Sequence, residues 1–179
     1  IDKQEQQQIV SSQAVVGICP TTEANLGDGI FPATQLAQAG GRFGIGLDSH
    51  VCISAAEEIR LLEYGQRLQE QQRNRLYDAD NTSVGMYLYQ KCVTDGGAAC
   101  GLTTGIAEGN RADFISLDIS YPTLACAQPE QWLDRWCFGS NHNPVQDVYV
   151  AGDQVIKDGQ HPLQESTYQA MAACLQQLF

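Results

Sequence analysis

The order of apolar and polar positions divides the chain into two textures. Residues 3–13 are mostly polar and read as a solvent-facing helix. Ala14, Val15, Val16, Gly17, Ile18 and Cys19 form a short apolar run, rich in β-branched residues and ended by Pro20, which predicts a buried strand. Residues 21–29 read as a turn-rich loop, and residues 32–39 as a helix broken by Gly40 and Gly41. A second short buried strand is expected over 42–47, ending in Asp48, Ser49 and His50. Ser54 with Glu57 three residues on predicts a capping box that opens a helix running to about Arg73. Leu61, Tyr64, Gly65 and Leu68 supply its apolar stripe, and Glu63 with Arg67 an i,i+4 ion pair. A polar loop over 74–82 leads to another helix from about Ser83 to Cys100, weakened at Gly96 and Gly97. After Gly105 the spacing becomes that of strands: one over 112–118, then a short helix over 131–138, then a hairpin from 145–151 and 154–157 turning at Gly152-Asp153. A last helix is expected from near Ser166, with Tyr168, Met171, Leu175 and Leu178 on one face. Short strands separated by helices point to an α/β layer or barrel. The change of texture divides the chain at 1–105, 106–162 and 163–179.

Composition narrows the function classes. The 179 residues suit one domain, or one and a half small ones. With 43% hydrophobic and 17% charged residues, a core can be buried, and the low charge argues against a disordered tail. The formal charge of −11 argues against nonspecific binding to nucleic acid or anionic membrane, because the long-range field repels phosphate. No apolar run approaches the roughly 18 residues that span a bilayer. The chain starts at Ile1 on what reads as a helix cut into from upstream, so it is expected to be a piece of something longer. The seven cysteines are an odd number with no CxxC pair, which argues against a disulfide framework or a structural zinc site. They predict reduced, mostly buried thiols in a cytoplasmic protein. The three histidines, His50, His142 and His161, are too scattered to build a His-based metal site within this chain alone.

The strongest local chemistry is Gly44-Ile45-Gly46-Leu47-Asp48-Ser49-His50. A carboxylate at the C-terminal end of a buried strand stands where α/β barrels build active sites. Asp48 there could ligate a metal or accept a proton from an activated water; equally, it could cap the following turn. On a continuing strand His50 would share its face, as a ligand or substrate contact, or else it hydrogen-bonds backbone at the loop base. Thr21, Thr22, Glu23, Asn25 and Asp28 lie in a polar strand-to-helix segment of the kind that holds substrate, although plain turn chemistry explains any one of them. Gly27-Asp28-Gly29 is no phosphate loop, since it lacks the Lys and its acid repels phosphate. Trp132 and Trp136, four apart on a helix, fit packing better than a ligand cage.

With those residues laid out, the chain resembles the C-terminal part of the amidohydrolase superfamily, and within it the deiminases acting on N-formimino-L-glutamate. The resemblance is carried by Gly17-Ile18-Cys19-Pro20-Thr21-Thr22-Glu23-Ala24-Asn25-Leu26-Gly27-Asp28-Gly29, and by Gly40-Gly41-Arg42-Phe43-Gly44-Ile45-Gly46 with Asp48-Ser49-His50. It continues through Glu57-Glu58-Ile59-Arg60-Leu61-Leu62-Glu63-Tyr64-Gly65-Gln66-Arg67-Leu68 and Arg73-Asn74-Arg75-Leu76. Arg111-Ala112-Asp113 and Val148-Tyr149-Val150-Ala151-Gly152 match the usual tail. Leu47 departs from it, standing where the family usually has a small hydroxylic residue.

The resemblance implies a fold in which residues 14–19 and 43–48 are the last two strands of a metal-dependent (β/α)8 TIM barrel. Residues from about 106 to 160 then supply strands of a small β-sandwich. It implies a zinc ion held by Asp48 and by histidines upstream of this chain, and a zinc-activated water whose proton Asp48 accepts. The implied reaction is hydrolysis of N-formimino-L-glutamate to N-formyl-L-glutamate and ammonia in histidine degradation, with Thr22, Glu23, Asn25 and His50 shaping the substrate pocket. The implied partner is this small molecule, with a homodimer as the candidate assembly, and the fragment alone is expected to be inactive. The alternatives are another amidohydrolase, an aminopurine or chlorotriazine-type deaminase, and a non-catalytic acidic binding module.

Overall fold

The computed structural model describes residues 1–48 and 53–178. It divides the chain into two compact units, one of residues 1–104 with 120–143 and one of residues 105–119 with 144–179. The segment 120–143, read from sequence inside 106–162, therefore belongs with the first unit.

The first unit opens with α1 (Lys3–Ser12), started by a reciprocal cap in which Asp2 accepts from the Glu5 N–H and Glu5 from the Asp2 N–H, each at 2.8 Å. The strands β1 (Val15–Ile18) and β2 (Arg42–Ile45) then pair in parallel, Val15 opposite Arg42 through to Ile18 opposite Ile45. Among the described residues they pair with no other strand. A parallel pair needs a crossover, and here it is made by α2 (Pro20–Leu26) and α3 (Ala33–Gln38). The turn-rich loop expected over 21–29 is thus mostly helix. Pro20 does not only end the strand; it occupies the first helical turn, where its missing N–H and fixed φ cost nothing. Gly27 closes the helix in the left-handed conformation, φ 76°, with its N–H on the Glu23 carbonyl.

β2 stops at Ile45, short of the expected 47, although the Gly46 N–H still reaches the Ile18 carbonyl at 2.9 Å. Ile18, Leu36 and Phe43 are fully buried around the pair. Two long helices, α4 (Ala55–Glu70) and α5 (Val84–Ala99), pack against it. Ser54 and Ser83 cap them through the N–H groups of Glu57 and Met86 at 3.2 and 3.1 Å. A methyl built on Gly44 would lie 3.1 Å from the Gly96 Cα, so β2 and α5 approach at glycine. The Gly96 "weak point" of the helix is a packing surface.

The buried face of α4 differs from the expected stripe. Tyr64 and Leu68 are exposed, at 38% and 78%, while Glu58, Ile59, Leu62, Glu63 and Gln66 are buried. The polar members are satisfied by loop backbone. Glu63 accepts from the N–H groups of Arg75 and Leu76 at 2.9 and 3.0 Å and from Arg67 at 2.6 Å, the expected i,i+4 pair. Gln66 accepts from the Thr34 N–H at 3.2 Å and donates to the Phe31 carbonyl at 2.8 Å. α4 ends at Glu70 rather than Arg73, because Gln71 turns left-handed at φ 53°.

Two further helices, α6 (Pro122–Ala125) and α7 (Trp132–Gly139), return to this unit, and α7 packs on α4 and α5. Trp136 is buried beside Tyr89, and the Trp132 indole donates to the Ala127 carbonyl at 3.3 Å, so both tryptophans serve packing. The Arg60 guanidinium caps the end of α7 through the Cys137 and Ser140 carbonyls.

In the second unit β3 (Phe114–Leu117), β4 (Val145–Val150) and β5 (Asp153–Ile156) form an antiparallel sheet in the order β3-β4-β5. The hairpin turns at Ala151-Gly152, one residue earlier than expected, with φ 53° and 90°. Both central positions of this turn are left-handed, and Asp153 is committed to pairing with Val150. α8 (Gln164–Leu178) starts two residues before Ser166 and buries none of its residues.

The thiols are less buried than expected. Of the six described cysteines only Cys137 is buried; Cys100, Cys126 and Cys174 are exposed, and all six are free.

Candidate active site

The site is built at the C-terminal edge of the parallel pair, where both strands release their chains on the same side. From β1 the chain enters α2 at once, which places Thr21, Thr22 and Glu23 in the first helical turn. The Glu23 carboxylate accepts from the Cys19 N–H at 2.9 Å and so ties off one of the helix's free amides. Glu58 reaches across from the first turn of α4. Its carboxylate, fully buried, accepts from the Thr21 N–H at 2.9 Å and from the Thr21 hydroxyl.

From β2 the chain passes Gly46 and Leu47 to Asp48. The Thr22 hydroxyl donates to the Leu47 carbonyl at 3.0 Å, which joins the start of α2 to the backbone carrying Asp48. Asp48 is exposed, and its φ of 48° lies in the left-handed region, which Asp tolerates better than most side chains but which is uncommon outside glycine. Because β2 ends at Ile45 and Asp48 turns left-handed, the strand-face argument that would align Asp48 with His50 does not hold. His50 itself lies outside the described residues.

Three carboxylates act on one thiol here. Burial pushes Cys19 upward, and the charges of Asp48, Glu23 and Glu58 push it further. The edge is therefore a concentrated negative field, and Cys19 is held as the neutral thiol. A methyl on Gly46 would meet the Cys19 sulfur at 3.1 Å, so the two strand ends also close on each other sterically.

The structure brings together Asp48, Thr22 and Glu23. Thr22 is buried and engaged, Glu23 half-buried, and Asn25 exposed further along α2. Asp28 is exposed beyond its end. His142 stacks on Tyr121 at 4.0 Å, and the His161 ring accepts from the Leu163 N–H at 3.1 Å. The residue that reading the sequence missed is Glu58. The capping signal at Ser54 accounts for acids in the next turn, and nothing local marks one of them as bonded to a residue 37 positions away.

Among the described residues no group of three or more His, Cys, Asp or Glu stands close enough to hold a metal ion. Asp48, exposed and with no hydrogen bond or ion pair to a described residue, fits the part of one oxygen ligand in a site completed by other groups.

This arrangement, strand-end acids at the edge of a parallel pair, belongs to a known class. The amidohydrolase family profile matches residues 3–155, and the chain belongs to that family. It is 48% identical over 168 residues to the formimidoylglutamate deiminase of Pseudomonas aeruginosa, a match covering 93% of this chain and 37% of that protein. An amidohydrolase from Brucella melitensis superposes with a TM-score of 0.91 at 40% identity, over 99% of this chain and 39% of the other. A zinc-bound adenosine deaminase from Xanthomonas campestris shares the fold, with a TM-score of 0.80 at 18% identity over 99% of this chain and 40% of the other. The chain thus spans well under half the length of the proteins it matches.

Proposed function

We propose that the chain is the C-terminal part of a zinc-dependent deiminase that hydrolyses N-formimino-L-glutamate to N-formyl-L-glutamate and ammonia, a cytoplasmic step of histidine degradation. The observation that carries this reading is the 48% identity over 168 residues to a formimidoylglutamate deiminase. On this reading β1 and β2 are the last two strands of a (β/α)8 barrel, and β3, β4 and β5 belong to the small β-sandwich. A bound zinc would supply a Lewis acid and lower the pKa of water toward neutrality.

Within this chain, Asp48 would hold the ion as one carboxylate ligand and would take the proton of the attacking water. The formimino carbon then becomes tetrahedral, and its C–N bond to the leaving nitrogen breaks once that nitrogen is protonated, releasing ammonia. Glu23 and Asn25 on α2, together with His50, shape the substrate pocket. Thr22 acts through the Leu47 carbonyl. The substrate's two carboxylates require cationic or hydroxyl partners, and among the described residues the hydroxyls at this acidic edge, those of Thr21 and Thr22, already donate to Glu58 and to the Leu47 carbonyl. That edge suits the end of the substrate that carries the cationic formimino group.

Ammonia release by the full-length enzyme, compared between N-formimino-L-glutamate, aminopurines and chlorotriazines, tests the assignment. Turnover of formiminoglutamate at least 100-fold above the others is expected. A preference for an aminopurine would replace this reading with the deaminase one.

A further inference from the structure

We propose that Glu58 is a positioning residue for Asp48, acting through a relay that runs Glu58, Thr21, Thr22, Leu47. The inference rests on the reading of Asp48 as metal ligand and proton acceptor. Its basis is geometric. Glu58 is a fully buried carboxylate that faces no described cation, and both its oxygens are spent on one residue, the N–H and the hydroxyl of Thr21. Burying a carboxylate is costly unless hydrogen bonds repay it. Here the bonds fall on the first turn of α2, whose free amides and dipole also favour a negative charge.

The helix α2 is seven residues in all, too short to hold its own start. With Thr21 fixed, the orientation of Thr22 is fixed as well, and the Thr22 hydroxyl then holds the Leu47 carbonyl at 3.0 Å. Leu47 is the residue before Asp48, and Asp48 sits in a left-handed conformation that few neighbours would enforce by default. A carboxylate on α4 thereby sets the backbone from which a strand-end carboxylate is presented, without touching substrate or metal itself.

The relay makes geometric demands that separate it from simple core packing. Gln at position 58 can still accept from the Thr21 N–H and can donate to the Thr21 oxygen. Met fills the same volume and can do neither. In the full-length enzyme, Glu58→Gln is expected to keep kcat/KM and zinc affinity within about threefold. Glu58→Met should lower both by about 10–100-fold, the usual range for groups that orient a metal ligand, with KM changing less than kcat. Thr22→Val cuts the relay further along and leaves Glu58 in place; it should lower zinc affinity about tenfold. The double variant should be no worse than Glu58→Met alone, because the two act in series.

Zinc affinity is read by competition with a chelating dye, and folding by circular dichroism and Tm. If Glu58→Met stays folded and keeps the zinc affinity of the parent, the relay is wrong. It is equally wrong if the two losses add. If Glu58→Met does not fold, Thr21→Val, which removes the hydroxyl bond to Glu58, decides the matter: a folded variant with the zinc affinity of the parent overturns the relay. Should the parent enzyme bind zinc and yet not turn over formiminoglutamate, the substrate assignment fails, while the affinity measurements still judge the relay.

Discussion

Asp48 is the single side chain on which the chemistry proposed for this chain rests. It is exposed, left-handed, and held at the end of a two-residue tether from β2 whose carbonyl is anchored by Thr22. Asn keeps its size and its tolerance of positive φ but loses the charge and the basicity. In the full-length enzyme Asp48→Asn should therefore cost at least about 100-fold in turnover at fixed zinc, with an unchanged circular dichroism spectrum. Retention of more than a tenth of the activity would reduce Asp48 to a turn residue. The thiols give a second test at this scale. Burial, with Asp95 nearby, pushes Cys92 up to about 12, and burial with Asp134 does the same to Cys137. Thiolate is the reactive form, and a raised pKa keeps it scarce at every pH below that value. At pH 8 a disulfide reagent should modify Cys100, Cys126 and Cys174 in the native chain and reach Cys92 and Cys137 only after denaturation.

The two glycines where β2 meets α5 show how unlike such positions are. A methyl on Gly44 meets the α5 backbone at 3.1 Å, whereas a methyl on Gly96 meets no atom within 4 Å. Gly44→Ala should destabilise the fold by about 1–3 kcal/mol through overpacking. Gly96→Ala should stabilise it by about 0.5–1 kcal/mol, because a helical glycine gives up more backbone freedom on folding than alanine does. Chemical denaturation of both variants checks the sign as well as the size. Elements whose signals are local were legible in the sequence: the parallel strands to within a residue of their starts, the Ser54 half of the expected capping box, the helix start near Ser83, the Glu63–Arg67 pair and the hairpin. What stayed hidden depends on distant partners. α2 is short and its Thr-Thr start favours turns, and it is held as a helix by Glu58 on another helix. The buried face of α4 escaped because Glu58, Glu63 and Gln66 are taken inside by backbone amides of loops, which no count of apolar positions registers.

For the molecule as a whole, the candidate site was legible in part and for two separate reasons. Asp48 stood out physically, as an acid at the end of a buried run. Thr22, Glu23 and Asn25 stood out through family resemblance, and only the structure shows that Thr22 is buried and tied to Leu47 while Asn25 is exposed. One carboxylate falls short of the three or four protein ligands that zinc sites use, and the described residues add no cluster to it. The 179-residue chain alone should therefore lose zinc on dialysis and hydrolyse nothing. One equivalent of zinc retained per chain, measured by atomic absorption, would show that the ligand set lies within these residues after all.

The bare helix α8 has a practical consequence for anyone handling the chain. It buries no side chain, and a 15-residue helix on its own is marginal in water, so its backbone opens often enough to be cut. Yet the sequence beyond Lys157 contains neither lysine nor arginine. Trypsin has nowhere to cleave within it, while a protease that favours aromatic and large aliphatic residues finds Tyr168, Met171 and Leu175 standing free. A brief chymotryptic digest should shorten the chain from its C-terminus and leave both sheets whole, and the same digest with trypsin should leave α8 uncut.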